Sequence, residues 1–187
     1  MRAPGAWRIF RGPMRRMFGA LAPQWDSILM EDHLVPYEHA LEALPAPPRR
    51  ALDIGTGTGA GALAIARRFP QTEVVGVDLA ERMIEAARRK AGDRVHFEVA
   101  DASRLPFDGA SFDLVAHANM IPFFDELERV LAPNGWALFA FSGGAETPIY
   151  VPFDRLRREL KRRGFTDFAD FATGRGTALL ARKARHS

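Results

Sequence analysis

Short apolar runs alternate along this chain with longer stretches in which apolar residues recur every three or four positions. The runs at 50–54, 73–77, 95–99, 112–117 and 136–141 are five or six residues long. Runs of that length bounded by turn residues predict strands buried on both faces. Helical spacing predicts helices from the pattern at Ala62–Ala66 to about Phe69 before Pro70, from about Ala80 to Ala91 before Gly92, and over roughly 123–131. Only a loop fits between the third and fourth strands, and Pro133-Asn134-Gly135 reads as the turn into the fifth. A basic helix is predicted over 153–163, ended by Gly164, then strands near 165–172 and 177–182 joined by Gly174-Arg175-Gly176. Ahead of the first strand, 25–44 carries helical stretches interrupted at Pro36, and Pro45-Ala46-Pro47-Pro48 forces an extended connector. Strands alternating with helices, then a terminal hairpin, imply a mostly parallel sheet covered on both faces.

The ends of the strands carry the candidate chemistry. The first strand stops in Asp53-Ile54-Gly55-Thr56-Gly57-Thr58-Gly59 and a helix pattern leaves it. Glycines let the backbone take positive φ and approach a ligand closely, while the first N–H groups of the helix face that ligand. Alone, this turn suits NAD, FAD or S-adenosylmethionine, or is merely a tight turn. The second strand ends in Asp78, at the distance of an acid that takes ribose hydroxyls, and the third ends at Asp101-Ala102. Three successive strands thus each deliver an aspartate at one end of the sheet.

The segments LDIGTGTG (52–59), VVGVDLAERMIEAAR (74–88), VADASRLPFDGASFDLV (99–115) and LERVLAPNGWALF (127–139) together resemble class I S-adenosylmethionine-dependent methyltransferases. LPFDGASFDLV is most similar to the small-molecule branch that includes ubiquinone and menaquinone C-methyltransferases, and 18–26 resembles the N-terminal segment of that branch. The resemblance implies a Rossmann-like, doubly wound α/β sheet of seven strands in the order 3-2-1-4-5-7-6, the last strand antiparallel, with helices on both faces. It implies S-adenosylmethionine as cofactor and a small-molecule methyl acceptor. Residue by residue, it implies that Gly55, Gly57 and Gly59 line the methionine end and ribose, and that Asp53 accepts from the ammonium, directly or through water. Asp78 would take the ribose hydroxyls, Leu79 and Ala102 the adenine faces, and Asp101 the adenine amino group. His117, at the end of the fourth strand, is the candidate general base, its ordinary pKa lying near neutrality, or else a satisfied structural histidine. His33 and His39 fall in the segment before the first strand and read as surface residues.

The 187 residues make one domain of ordinary size, read as an arm with lid helices over 1–48 and a methyltransferase domain over 49–187. With no cysteine there is neither disulfide nor thiolate metal site, and no metal-ligand cluster is visible. No apolar stretch approaches the ~20 residues of a membrane span, so a cytoplasmic protein is expected. Residues 1–25 hold five arginines and no acid, whereas the rest holds 21 basic and 23 acidic side chains. That arm is a leader, a helix packed over the site, or a segment that lies on an anionic membrane or reaches nucleic acid. Nucleic acid is not the expected partner, since the basic helix at 153–163 reads as a solvated outer face. A homodimer that helps roof the acceptor pocket is compatible with the short loops around the site. RNA or protein methylation, and a cofactor-binding regulator without catalysis, stand as alternatives.

Overall fold

The structure, a computed structural model, describes residues 4–29 and 32–185. Its elements in chain order are α1 (Pro4–Leu21), α2 (Trp25–Ile28), α3 (Val35–Glu42), β1 (Arg50–Ile54), α4 (Ala60–Arg68), β2 (Glu73–Asp78), α5 (Glu81–Ala91) and β3 (His96–Val99). They continue with β4 (Phe112–Ala118), α6 (Phe124–Val130), β5 (Leu131–Phe141), α7 (Phe153–Lys161), β6 (Phe165–Thr173) and β7 (Gly176–Lys183). The seven strands form one sheet in the order β3-β2-β1-β4-β5-β7-β6. The first five are parallel, and β7 runs antiparallel to both β5 and β6. The order implied by the resemblance is therefore the one observed.

Alternation along each strand splits the core into two layers. Ala51, Val74, Leu114, Ala116, Leu138 and Leu180 pack with α3, α4 and α5 on one face. Leu52, Val75, Val115, Phe139 and Leu179 pack with α6 and α7 on the other. The helices carry their own end signals: α5 opens on Glu81 and closes on Arg88, Arg89 and Lys90, complementing its dipole. Chain order reverses on either side of β1, which pairs with β2 on one side and β4 on the other. A crevice opens beyond the carboxyl ends of the strands at such a switch point.

Three local expectations change. Pro36 does not interrupt a helix but begins one, lying in the first turn of α3 where no amide donor is needed. Pro133-Asn134-Gly135 is not a turn before β5 but a bulge inside it. Pairing with β4 shifts between Phe112 and Leu114, and Asn134 has φ 64°. A Cβ on Gly135 would sit 2.9 Å from the Ala132 carbonyl oxygen and 3.0 Å from that of Asp113. Residues 4–21 are one long helix against the domain, which decides between the leader and helix readings of the arm.

Candidate functional site

The glycine turn between β1 and α4 is held from beneath. The Asp53 carboxylate, 1% exposed, accepts from the Thr56 hydroxyl at 2.7 Å and the Tyr37 hydroxyl at 3.3 Å. Burial raises its pKa to about 6, against bonds from Thr56, Tyr37 and the Ala62 N–H. Burial and the adjacent carboxylate push Tyr37 well up, so the phenol stays a donor. Gly61 leaves room for this carboxylate, since a Cβ there would lie 2.9 Å from Asp53 Oδ2.

Gly55 and Gly57 have φ of 71° and 55°, a backbone region that other L residues rarely adopt. The Gly57 N–H donates to Asp78 Oδ2 at 3.0 Å and the Ala80 N–H to Asp78 Oδ1 at 2.8 Å, which fixes the β2 carboxylate beside the turn. Burial raises the Asp78 pKa despite these bonds. Over the turn lies Trp25, whose Nε1 is 3.2 Å from where a Gly57 Cβ would stand. Next to it, Asp26 accepts from the Thr58 hydroxyl at 2.6 Å and pairs with Lys90. Against a burial cost, the bonds from Lys90 and Thr58 hold the Asp26 carboxyl below its usual range.

Together these groups floor a cavity of about 680 Å³, within the size range of small-molecule sites. Its walls include Asp53, Gly55, Gly57, Asp78, Leu79 and Ala102 on the cofactor side. The lining also includes Met14, Met17, Phe18, Ile28 and Leu29 from the N-terminal segment, with His33, Asn119, Glu146 and Arg175. Asn119, just after β4, accepts from the Ser142 N–H at 2.9 Å, clasping the ends of β4 and β5. Glu146 pairs with Arg175 across the rim.

Three residues read as site members stand elsewhere. Gly59 does not line the cavity; at φ 90° its missing Cβ makes room for Phe97, which would lie 2.9 Å away. Asp101 is already engaged, accepting from Trp7 Nε1 at 2.8 Å, the Ser103 hydroxyl at 2.7 Å and Arg11 at 3.5 Å. Against burial, the bonds from Ser103, Trp7 and Arg11 keep its carboxyl below the ordinary value. His117 lies on the α6–α7 side of the sheet, 2% exposed and stacked on Phe139 at 4.8 Å, not in the cavity wall. Burial lowers its pKa to about 4, leaving a neutral core side chain. His33, read as a surface residue, instead lines the cavity, whereas His39 is exposed and meets Thr173 Oγ1 at 3.0 Å.

Sequence reasoning also missed Trp7, Tyr37 and the Asp26–Thr58 bond. Only the His117 placement carried a readable signal. On a strand, Val115 and His117 share one face and Ala116 takes the other.

A cavity at the switch point of a parallel sheet, with a glycine turn and a carboxylate at the next strand end, defines a nucleotide-cofactor-binding α/β protein. Residues 51–135 match the family described as methyltransferase domain. The chain is 39% identical over 137 residues to a demethylmenaquinone methyltransferase of Deinococcus radiodurans, covering 65% of this chain and 57% of the relative. It is 36% identical over 155 residues to a malonyl-[acyl-carrier protein] O-methyltransferase of Halorhodospira halophila, covering 75% and 52%. The chain thus spans little more than half the length of these curated relatives.

A chain from the complex of the Haloferax volcanii Trm112 methyltransferase activator superposes with TM-score 0.74 at 21% identity, covering 92% of this chain and 98% of that one. An S-adenosylmethionine-dependent methyltransferase from Mesorhizobium loti gives TM-score 0.64 at 17% identity, covering 82% and 99%. Residues 51–135 are thus similar to methyltransferase domains, and the chain resembles the quinone methyltransferases. The residues present fit S-adenosylmethionine: two left-handed glycines open the floor, and Asp78 supplies a fixed, half-buried acceptor beside them.

Proposed function

We propose that the chain transfers a methyl group from S-adenosylmethionine to a small, mainly apolar acceptor. The observation that carries this reading is one cavity lined both by the polar groups of the glycine turn and Asp78 and by methionine, phenylalanine, isoleucine and leucine side chains. The names of the relatives, a quinone and an acyl-carrier methyltransferase, support an acceptor of that kind.

In this reading Asp78 takes the ribose hydroxyls, a bidentate task for which a carboxylate has the lone pairs. Leu79 and Ala102 pack on the adenine faces. Asp53 sets the turn that receives the methionine end, with Tyr37 and Thr56 holding it. When bound, S-adenosylmethionine supplies an electrophilic methyl group on a sulfonium. The chain's own task is then alignment and exclusion of water. Trp25 closes over the turn, and Met14, Met17, Phe18, Ile28 and Leu29 wall the acceptor in, so α1 and α2 act as the lid. An acceptor that must lose a proton needs a base at the cavity. His33 takes that role in place of His117, because it lines the cavity beside the lid.

The test is release of S-adenosylhomocysteine across a panel of hydroxylated aromatic, quinol and carboxylic acceptors. Turnover with an apolar acceptor is the expected result. Cofactor binding with no release from any acceptor would overturn the enzymatic reading.

A further inference from the structure

We infer that the outer face of α1 docks on an anionic lipid surface. This goes beyond the methyl-transfer reading and does not depend on it. Trp7 and Phe18 turn one side of α1 toward the domain, Trp7 5% exposed and set edge-on to Phe123 at 5.0 Å, Phe18 against Trp25 at 5.6 Å. The next side of the helix is apolar and uncovered. Ile9 is 73% exposed, Phe10 55% and Met17 50%, with Ile28 of α2 at 54%. Four of the five large apolar side chains exposed among the described residues therefore gather on this one corner, the fifth being Val99 of β3.

Charge follows the same geometry. Arg16 falls beside Ile9 at one edge of that strip, Arg8, Arg11 and Arg15 recur at helical spacing along the opposite, polar side of the helix, and the helix holds no acid. Arg11 meets Asp101, whereas Arg8, Arg15 and Arg16 are exposed and form no ion pair among the described residues. The remainder of the chain is slightly acidic, so the positive field belongs to this helix and not to the whole surface. A helix with one exposed apolar strip and an arginine-rich polar side fits a bilayer interface: the apolar side chains enter the acyl boundary while the field of the guanidinium groups draws anionic headgroups. Met17 and Ile28 also line the cavity, so docking sets its mouth against the bilayer.

The experiment is co-sedimentation of the full chain with vesicles of phosphatidylglycerol and phosphatidylcholine in equal parts, and with phosphatidylcholine alone. The wild type is expected to pellet with the anionic vesicles, less with the neutral ones, and less again in high salt. Ile9→Ser with Phe10→Ser should weaken this at least about tenfold. Each of Arg8→Gln, Arg15→Gln and Arg16→Gln should weaken binding to the anionic vesicles alone, about fivefold. None of these residues lines the cavity, so S-adenosylhomocysteine binding should be unchanged and certifies each variant as folded. Wild type that stays in solution with both vesicles overturns the inference, as does a serine variant that pellets like wild type. A dimer on gel filtration that the serine variant dissociates also overturns it, assigning the strip to a second copy.

Discussion

Asp53 and Asp78 are carboxylates of the same chemistry, one strand apart, given different tasks by their surroundings. Asp53 is enclosed by Thr56, Tyr37 and the start of α4, so its role is to hold the turn. Its native pKa, near 6, lies above the ordinary value of 3.8. Between about pH 4 and 6 the folded chain therefore binds more protons than the unfolded one, and this group's contribution falls as pH rises. Asp53→Asn removes that dependence. Its stability relative to wild type should rise across this window by an amount on the order of 2–3 kcal/mol. Urea unfolding at several pH values checks it, and a difference that stays flat with pH would show that the carboxyl ionises normally. Asp78 is half-buried at the cavity wall, and Asp78→Ala should weaken S-adenosylhomocysteine binding by about 2–3 kcal/mol in calorimetry. The two histidines give the sharpest contrast. His33→Gln should lower turnover without altering cofactor affinity, whereas His117→Gln should leave turnover within about twofold and reduce only stability. The reverse pattern would return the base to β4.

Among the elements, α1 has the partner least accessible to sequence reading. Trp7 reaches Asp101 across 94 positions of chain, a separation at which no local pattern operates. Trp7→Phe keeps the apolar packing on Phe123 but removes the donor to a carboxylate, an interaction worth about 1.5–3 kcal/mol. Amide exchange in 7–21 should then accelerate at least about tenfold while β4 stays protected. Equal exchange in both proteins would show that packing alone holds the helix. The parallel part of the sheet, by contrast, was legible. Its strands are short apolar runs, α4 and α5 are periodic stretches with their own stop signals, and the strand order came with the resemblance of the glycine turn and its neighbours. What escaped were features set by tertiary contact. Asn134 in left-handed backbone turns an apparent loop into a bulge, and Pro36 starts a helix because α3 packs Tyr37, Ala40 and Leu41 into the core. The site divided in the same way: the floor, Gly55, Gly57 and Asp78, is local sequence, and the roof is not.

At the scale of the whole molecule, a ligand held in a cavity between the sheet's end and α1 ties the two together. S-adenosylhomocysteine at a hundredfold its dissociation constant should raise unfolding free energy by about 2.7 kcal/mol, and NAD at the same concentration should not. Stabilisation by NAD alone would overturn the cofactor assignment. The order of the strands has a consequence for biosynthesis as well. β7 is the last of the seven to be made, yet it lies between β5 and β6 and is the sole sheet neighbour that β6 has. Until residues 176–183 have left the ribosome, β5 presents an unpaired edge and β6 has nowhere to go. Its Lys183 then fastens the carbonyl groups of Glu128 and Leu131 at the far end of α6. Nascent chains stalled before Gly176 should therefore stay sensitive to protease and bind chaperones through the bare edge of β5, and become resistant once β7 is inserted.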